Sequence, residues 1–288
     1  MRIGLVTDSP ADLPEDIIRR YEIDVIPAHL ILEGQSYLDG IDITRAEFYS
    51  HLPNLKVAPT TATPALGVFS AHFGNMLKNG ADHVIGIFTA GKLTSIANNA
   101  FKAAEDFPRK VSVIESGSLS MGSGYQVLAA AEAIDQGLSL TAVLSQVQST
   151  RKRLKVFAAL DTIEYLRRSG RVPQAVAALG GLLSIKPVVE LVEGVVKPLY
   201  ATRTTGRATE KMLDLLMNLG QLERLSILHT NAEARALDFL SQLSTRHSNY
   251  LPADIKIVNV TTVIGTHVGP DGLGFVAVKI EKPAIIRT

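Results

Sequence analysis

The chain is 288 residues long, with 29 basic and 28 acidic side chains and a formal charge of +1, so it has no charge excess to drive binding to nucleic acid or an anionic membrane surface. The absence of cysteine excludes disulfide staples, thiol catalysis and cysteine-ligated zinc, and suits a cytoplasmic protein. Only 20% of residues are charged against 46% hydrophobic, and a mean hydropathy of +0.18 predicts a large core or an apolar internal cavity.

The length fits two ordinary domains, and no leader or membrane-spanning run is read from the sequence. Arg2 to Thr7 reads as a buried strand stopped at Asp8-Ser9-Pro10. Asp12 with Glu15 offers a capping box for a helix through Tyr21. Asp24 to Leu32 is a second strand region closed by a Glu33-Gly34 turn, Leu38 to Asp42 is loop, and Thr44 with Glu47 repeats the capping-box pattern before a short helix.

Ala58-Pro59-Thr60-Thr61-Ala62-Thr63-Pro64 follows, an extended loop held out of the α region by its prolines and leading into a helix that begins near Ala65 and ends at Asn79-Gly80. A helix start favours an anionic group, and threonine hydroxyls add donors, but on this loop alone the first reading is that Thr63 simply caps the helix. His83 to Thr89 and Lys110 to Glu115 read as strands that each run into a hydroxyl-rich loop and then a helix, which places ligand chemistry at the carboxyl ends of a mostly parallel sheet.

A helix over Thr141 to Arg153 and a strand at Val156 to Leu160 close this half. Beyond a short helix in Asp161 to Val172, the runs Ser184 to Leu191 and Val195 to Ala201 read as a hairpin turning at Glu193-Gly194. Helices at Thr205 to Leu219 and Ala232 to Ser244 and strands at Leu225 to His229, Ile255 to Val260 and Gly274 to Ile280 complete an α+β half. The expected fold is α/β, with residues 1–160 an N-terminal parallel-sheet domain and 161–288 a C-terminal α+β domain containing antiparallel strands.

No phosphate-binding glycine loop, dinucleotide fingerprint, zinc-protease motif or nucleophile elbow is present, and the seven histidines are scattered, so neither a metal nor a cofactor is expected. Two residues still invite attention. Asp8, at the end of the first strand, is read first as a loop tie or helix cap and second as a catalytic acid or metal ligand, and His267 stands in the glycine-flanked loop Gly265-Thr266-His267-Val268-Gly269-Pro270.

Taken in order, several short motifs add up to a resemblance. They are Val6-Thr7-Asp8-Ser9 with Asp12-Leu13-Pro14; Thr61 to Pro64; Lys92-Leu93-Thr94-Ser95; and Leu160 to Arg171. Ser184-Ile185-Lys186-Pro187, Thr202-Arg203-Thr204 and Ile264 to Pro270 follow. Along nearly its whole length the chain resembles the DegV family of bacterial fatty-acid-binding proteins.

The resemblance implies two α/β domains holding one long-chain fatty acid, its carboxyl on hydroxyls and its tail in an apolar tunnel. It further implies a carrier without turnover, a monomer, that presents the carboxyl to a fatty-acid kinase for conversion to an acyl phosphate. Thr61 matches the family's head-group threonine, Thr94 its second hydroxyl, and His267 its C-terminal histidine. Arg203 matches an arginine linked to the bound carboxyl or to the kinase, and Arg167, Arg168 and Arg171 are expected to join it in a basic surface.

The chain also departs from the family pattern. The usual Thr-Ser-x-Pro-Ser is Thr61-Ala62-Thr63-Pro64-Ala65, and Ser-Ser-x-Leu-Ser-Gly-Thr is Ala90-Gly91-Lys92-Leu93-Thr94-Ser95-Ile96, leaving Thr63 and Ser95 as substitute hydroxyls. The alternative reading is an enzyme acting on a small acyl or phosphorylated substrate in the same cleft, with His267 as acid or base and Asp8 as its partner.

Overall fold

The computed structural model describes residues 1–170 and 185–280, which form three sheets. Strands β1 (Ile3–Asp8), β2 (Asp24–Ile26), β6 (His83–Phe88) and β7 (Val111–Glu115) pair in parallel in the order β2-β1-β6-β7. Every residue of β6 is buried, the pattern of a central parallel strand covered on both faces. Chain order reverses between β1 and β6, so the crevice at their carboxyl ends is the topological switch point where open α/β sheets bind ligands.

A small antiparallel sheet places β3 (His29–Leu32) between β4 (Gln35–Leu38) and β5 (Thr60–Ala62). The third sheet is built from β8 (Leu154–Ala159), β9 (Lys186–Val192), β10 (Val195–Thr202), β11 (Leu222–His229), β12 (Ile255–Asn259) and β13 (Leu273–Lys279). Its order is β10-β9-β8-β13-β11-β12, antiparallel except for the β11–β12 pair. The β9–β10 turn sets Glu193 at φ 47° and Gly194 at φ 72°, the left-handed pair that a two-residue hairpin turn requires.

Ten helices of the described residues cover these sheets. They are α1 (Glu15–Arg20), α2 (Arg45–His51), α3 (Leu66–Lys78), α4 (Ile96–Ala104), α5 (Met121–Asp135), α6 (Leu140–Arg153), α7 (Glu164–Arg168), α8 (Thr205–Met217), α9 (Glu233–His247) and α10 (Thr262–Val268). Helix α5 is buried almost all round because it lies between sheets, touching β1 and β6 on one side and β8 and β13 on the other. One apolar cluster therefore runs from Leu5 and Ile87 through Tyr125 and Val127 to Val156 and Val276.

The Thr44–Glu47 capping box forms in full, and the predicted hairpin and βα units all appear. Four details differ from the sequence reading. The Asp24–Leu32 region is two strands in different sheets, because Pro27 interrupts it and the chain turns out of the parallel sheet. The short strand β4 lies next to the segment read as loop and takes in Leu38. Helix α1 is not capped by Asp12, since Pro14 stands at its N-cap and the Asp12 carboxylate is used elsewhere. His267 lies on helix α10, not in a loop.

Strand β8 also bears on the domain division drawn at residue 160. Hydrogen-bonded between β9 and β13, Leu154–Ala159 belongs to the antiparallel sheet. The expected Arg171 contribution and the Ser184 end of the hairpin lie outside the described residues.

Candidate functional site

The opening Thr-rich loop becomes β5, and its pairing with β3, Thr61 opposite Leu30, fixes which side chain faces inward. Alternation then turns Thr61 and Thr63 toward the interior, half-buried, and leaves Ala62 exposed. Helix α3 starts with Ala65 at its N-cap and no side-chain cap, so Thr63 does not serve as one. Across the crevice, the loop after β6 carries Thr94 and Ser95 to the start of α4.

Helix α10 completes the enclosure. Its first turn is held by two buried carboxylates: Asp12 accepts the Thr261 N–H at 2.8 Å, and Asp39 accepts the Thr262 hydroxyl at 2.6 Å and its N–H at 3.2 Å. Negative charge at a helix N-terminus is favourable, which secures an element of only two turns. Midway along, Gly265 lets the Tyr49 ring approach; a Cβ there would stand 2.5 Å from the Tyr49 hydroxyl. The Tyr49 hydroxyl in turn donates to the Val260 carbonyl at 3.2 Å.

These elements bring Thr61 Oγ1 to 3.1 Å from His267 Nε2, and Thr63 Oγ1 to 3.4 Å from Thr94 Oγ1. All four side chains, with Ser95, line one cavity of about 470 Å³. The start of α4 faces the same space, adding first-turn N–H groups and the positive end of a helix dipole. Exposed Lys92 lies at its wall. The chamber thus gathers hydroxyl, imidazole, ammonium and backbone donors.

Leu119, Leu166, Val196, Ile264 and Val268 line this chamber and also a second, narrower slot of about 100 Å³. The slot continues over the antiparallel sheet between side chains such as Phe157, Val189, Leu228 and Leu273, and its lining is almost wholly apolar. The cavity that gathers the polar groups therefore adjoins an almost wholly apolar slot.

Arg203 is not brought to the chamber. It follows β10, exposed, and does not line either cavity. Arg167 and Arg168 are exposed on α7, where both hold the Glu164 carboxylate, at 2.8 and 2.7 Å. Hydrogen bonds from Arg167 and Arg168 pull the Glu164 pKa down to about 2.

Asp8 is a tie between strands. Its carboxylate accepts the Thr89 N–H at 2.8 Å and the Thr89 hydroxyl at 2.9 Å, locking the carboxyl ends of β1 and β6 together beside the chamber. Burial outweighs these hydrogen bonds and pushes its pKa up to about 7. Asp12 is likewise raised to about 6 by burial, with Arg45 at 3.5 Å opposing the rise. Asp8 does not pair with His267, so the geometry offers no support for an acid–base couple between them. Among the described residues no group of three or more His, Cys, Asp or Glu side chains is arranged to hold a metal ion, and no helix is long and apolar enough to cross a membrane.

The residues that sequence reasoning missed are the walls. Pro10, Ala28, Thr89, Leu119, Leu166 and Val196 come from six separate segments. Apolar periodicity marks such side chains as buried but not as facing a cavity.

Fold and site together define a three-sheet α/β protein in which a cavity lined by hydroxyl and imidazole groups adjoins an almost wholly apolar slot. The chain belongs to the DegV family: a family model described as "Uncharacterised protein, DegV family" matches residues 2–279. A DegV domain-containing protein of Caldanaerobacter subterraneus subsp. tengcongensis is 31% identical over 282 residues, covering 95% of this chain and 97% of that one. Among solved structures, a DegV family protein from Thermus thermophilus, described by its fatty-acid binding, is 34% identical with a TM-score of 0.89, covering 97% of this chain and 100% of that one. A fatty-acid-binding DegV family protein from Streptococcus agalactiae superposes with a TM-score of 0.88 at 26% identity, over 98% of this chain and 100% of its own.

Proposed function

We propose that the protein binds one long-chain fatty acid, with its carboxylate in the chamber of Thr61, Thr63, Thr94, Ser95 and His267 and its tail in the apolar slot. The observation that carries this reading is that the two cavities adjoin, sharing Leu119, Leu166, Val196, Ile264 and Val268 in their walls. Fatty-acid binding by the Thermus and Streptococcus relatives supports it.

The energetics follow from the two environments. Each buried methylene contributes about 0.8 kcal/mol, so the tail supplies most of the affinity. Hydrogen bonds to a charged carboxylate add roughly 1.5–3 kcal/mol apiece and fix which end enters first. Ala62 and Ala65 stand where the family pattern that the sequence resembles has hydroxyls, and Thr63 lies close enough to Thr94 to share the carboxylate with it.

We further propose that the bound carboxyl is presented to a fatty-acid kinase for phosphorylation, with no turnover by the carrier itself. Exposed Arg203 lies outside the chamber and is assigned to the surface that meets the kinase, together with Arg167 and Arg168. In this reading the carrier works as a monomer in the cytoplasm, the fatty acid lying between the N-terminal and C-terminal halves.

Carboxyl-labelled oleate reports the head-group environment directly by carbon NMR. A single shifted carboxyl resonance is expected with the native chain, with its shift altered in Thr61→Val and His267→Gln. A carboxyl resonance identical in all three proteins and in free solution would exclude the proposed head-group site.

A further inference from the structure

The β9–β10 hairpin belongs to the antiparallel sheet, but its turn rests on the other half of the molecule. The Gly194 N–H donates to the Gly117 carbonyl at 2.7 Å. A Cβ built on Gly194 would lie 3.0 Å from Ala90 Cβ and 3.3 Å from Lys92 Cβ, so the turn is seated directly on the loop that carries Thr94. Two residues beyond the turn, Val196 forms part of the wall of both chambers.

Arg151, near the end of α6, joins the two sides of this junction. Its guanidinium donates to the Glu115 carbonyl at 2.6 Å, lies 3.6 Å from the Glu115 carboxylate, and is hydrogen-bonded to the Glu193 carboxylate. Glu115 in turn accepts the Gly91 N–H at 2.7 Å. An unbroken set of contacts therefore runs from the hairpin turn through Arg151 and Glu115 into the head-group loop.

The arrangement asks for arginine in particular. A planar fork can serve two carboxylates and a carbonyl at once, whereas an ammonium acts as a single point charge. The Arg151 side chain is only 25% exposed and Glu115 30%, so solvent screens their contact less than that of a surface pair, whereas Glu193 is 60% exposed. None of Arg151, Glu115 and Glu193 lines either cavity.

We infer that Arg151 is a positioning residue for the lipid site: it latches the β9–β10 turn onto the Ala90–Ser95 loop and so sets the rate at which bound fatty acid exchanges. The inference rests on the fatty-acid reading above. Closing the Val196 wall over the carboxyl end blocks exit without adding a donor to the ligand. Release then requires the Arg151 contacts to break first.

The full-length chain loaded with carbon-labelled oleate and chased with unlabelled oleate measures this rate. Arg151→Met is expected to release oleate about tenfold faster, the equivalent of losing about 1.4 kcal/mol from the closed state, with Arg151→Lys falling between it and the native chain. Amide hydrogen exchange, followed without added lipid, should accelerate around Gly194 and Gly91 while the β6 amides keep their protection. Glu193→Gln, at an exposed side chain, should give the same local result and serves where Arg151→Met fails to fold. Unchanged release and unchanged exchange at Gly194 in the folded variants would overturn the latch. If the native chain takes up no oleate, the lipid reading fails, and the exchange at Gly194 still decides whether Arg151 holds the turn.

Discussion

Thr61 and His267 meet through a single hydrogen bond in a half-buried chamber, an arrangement that a carboxylate can enter by accepting from both. Losing either donor leaves the tail's burial intact, so Thr61→Val is expected to weaken oleate binding by roughly tenfold or more without lowering the melting temperature appreciably. Titration calorimetry and a thermal scan on the same sample check both parts. Asp8 makes a different prediction. Its native pKa of about 7 lies above the value of 3.8 expected when exposed, so the native state holds an extra proton between those limits. Stability contributed by that group is full below about pH 4 and is lost as the pH rises toward 7. Asp8→Asn should flatten this slope, and denaturant titrations at pH 5 and pH 8 measure it: the native chain loses stability between them, the variant less, with the part due to Asp12 remaining. At this scale the sequence was informative where hydroxyls cluster. Thr61, Thr63, Thr94, Ser95 and His267 share one cavity, whereas Arg203, placed with them by resemblance, follows the edge strand β10 and does not line it.

Helix α10 shows why the elements were only partly legible. Gly265 within it and Gly269 at its end read as loop residues, and its seven residues are too few to display helical periodicity. What makes it a helix is tertiary: Asp12 and Asp39 hold its first turn, and Gly265 is needed for contact with Tyr49 and not for backbone freedom. Asp12 was legible as a capping residue but of the wrong helix, since Pro14 displaces it from α1 and the chain brings Thr261 to it from far away in sequence. By contrast, β6 and the β9–β10 hairpin were plain, because a buried parallel strand and a Glu-Gly turn leave local signals, and half-buried β7 was legible from its β-branched run. Gly265→Ala should force α10 away from Tyr49, costing about 1–3 kcal/mol of stability and moving His267 from Thr61. A fall in unfolding free energy accompanied by weaker oleate binding is the expected result.

The whole molecule is organised around α5, which is packed against both large sheets so that one apolar cluster spans them. Periodicity could not show this, because a helix buried on every side has no polar face to betray which sheet it meets. A shared core predicts that the two halves unfold together: scanning calorimetry should show a single transition whose calorimetric and van't Hoff enthalpies agree. Both cavities lie beside α5, where Leu119, which lines each of them, stands just before its first turn. The most direct measurement of the central claim is mass spectrometry of what the purified chain releases on denaturation, paired with titration of the stripped protein by long-chain fatty acids. One fatty acid per chain, or stoichiometric uptake after stripping, is the predicted result; no released lipid together with no uptake would contradict the account.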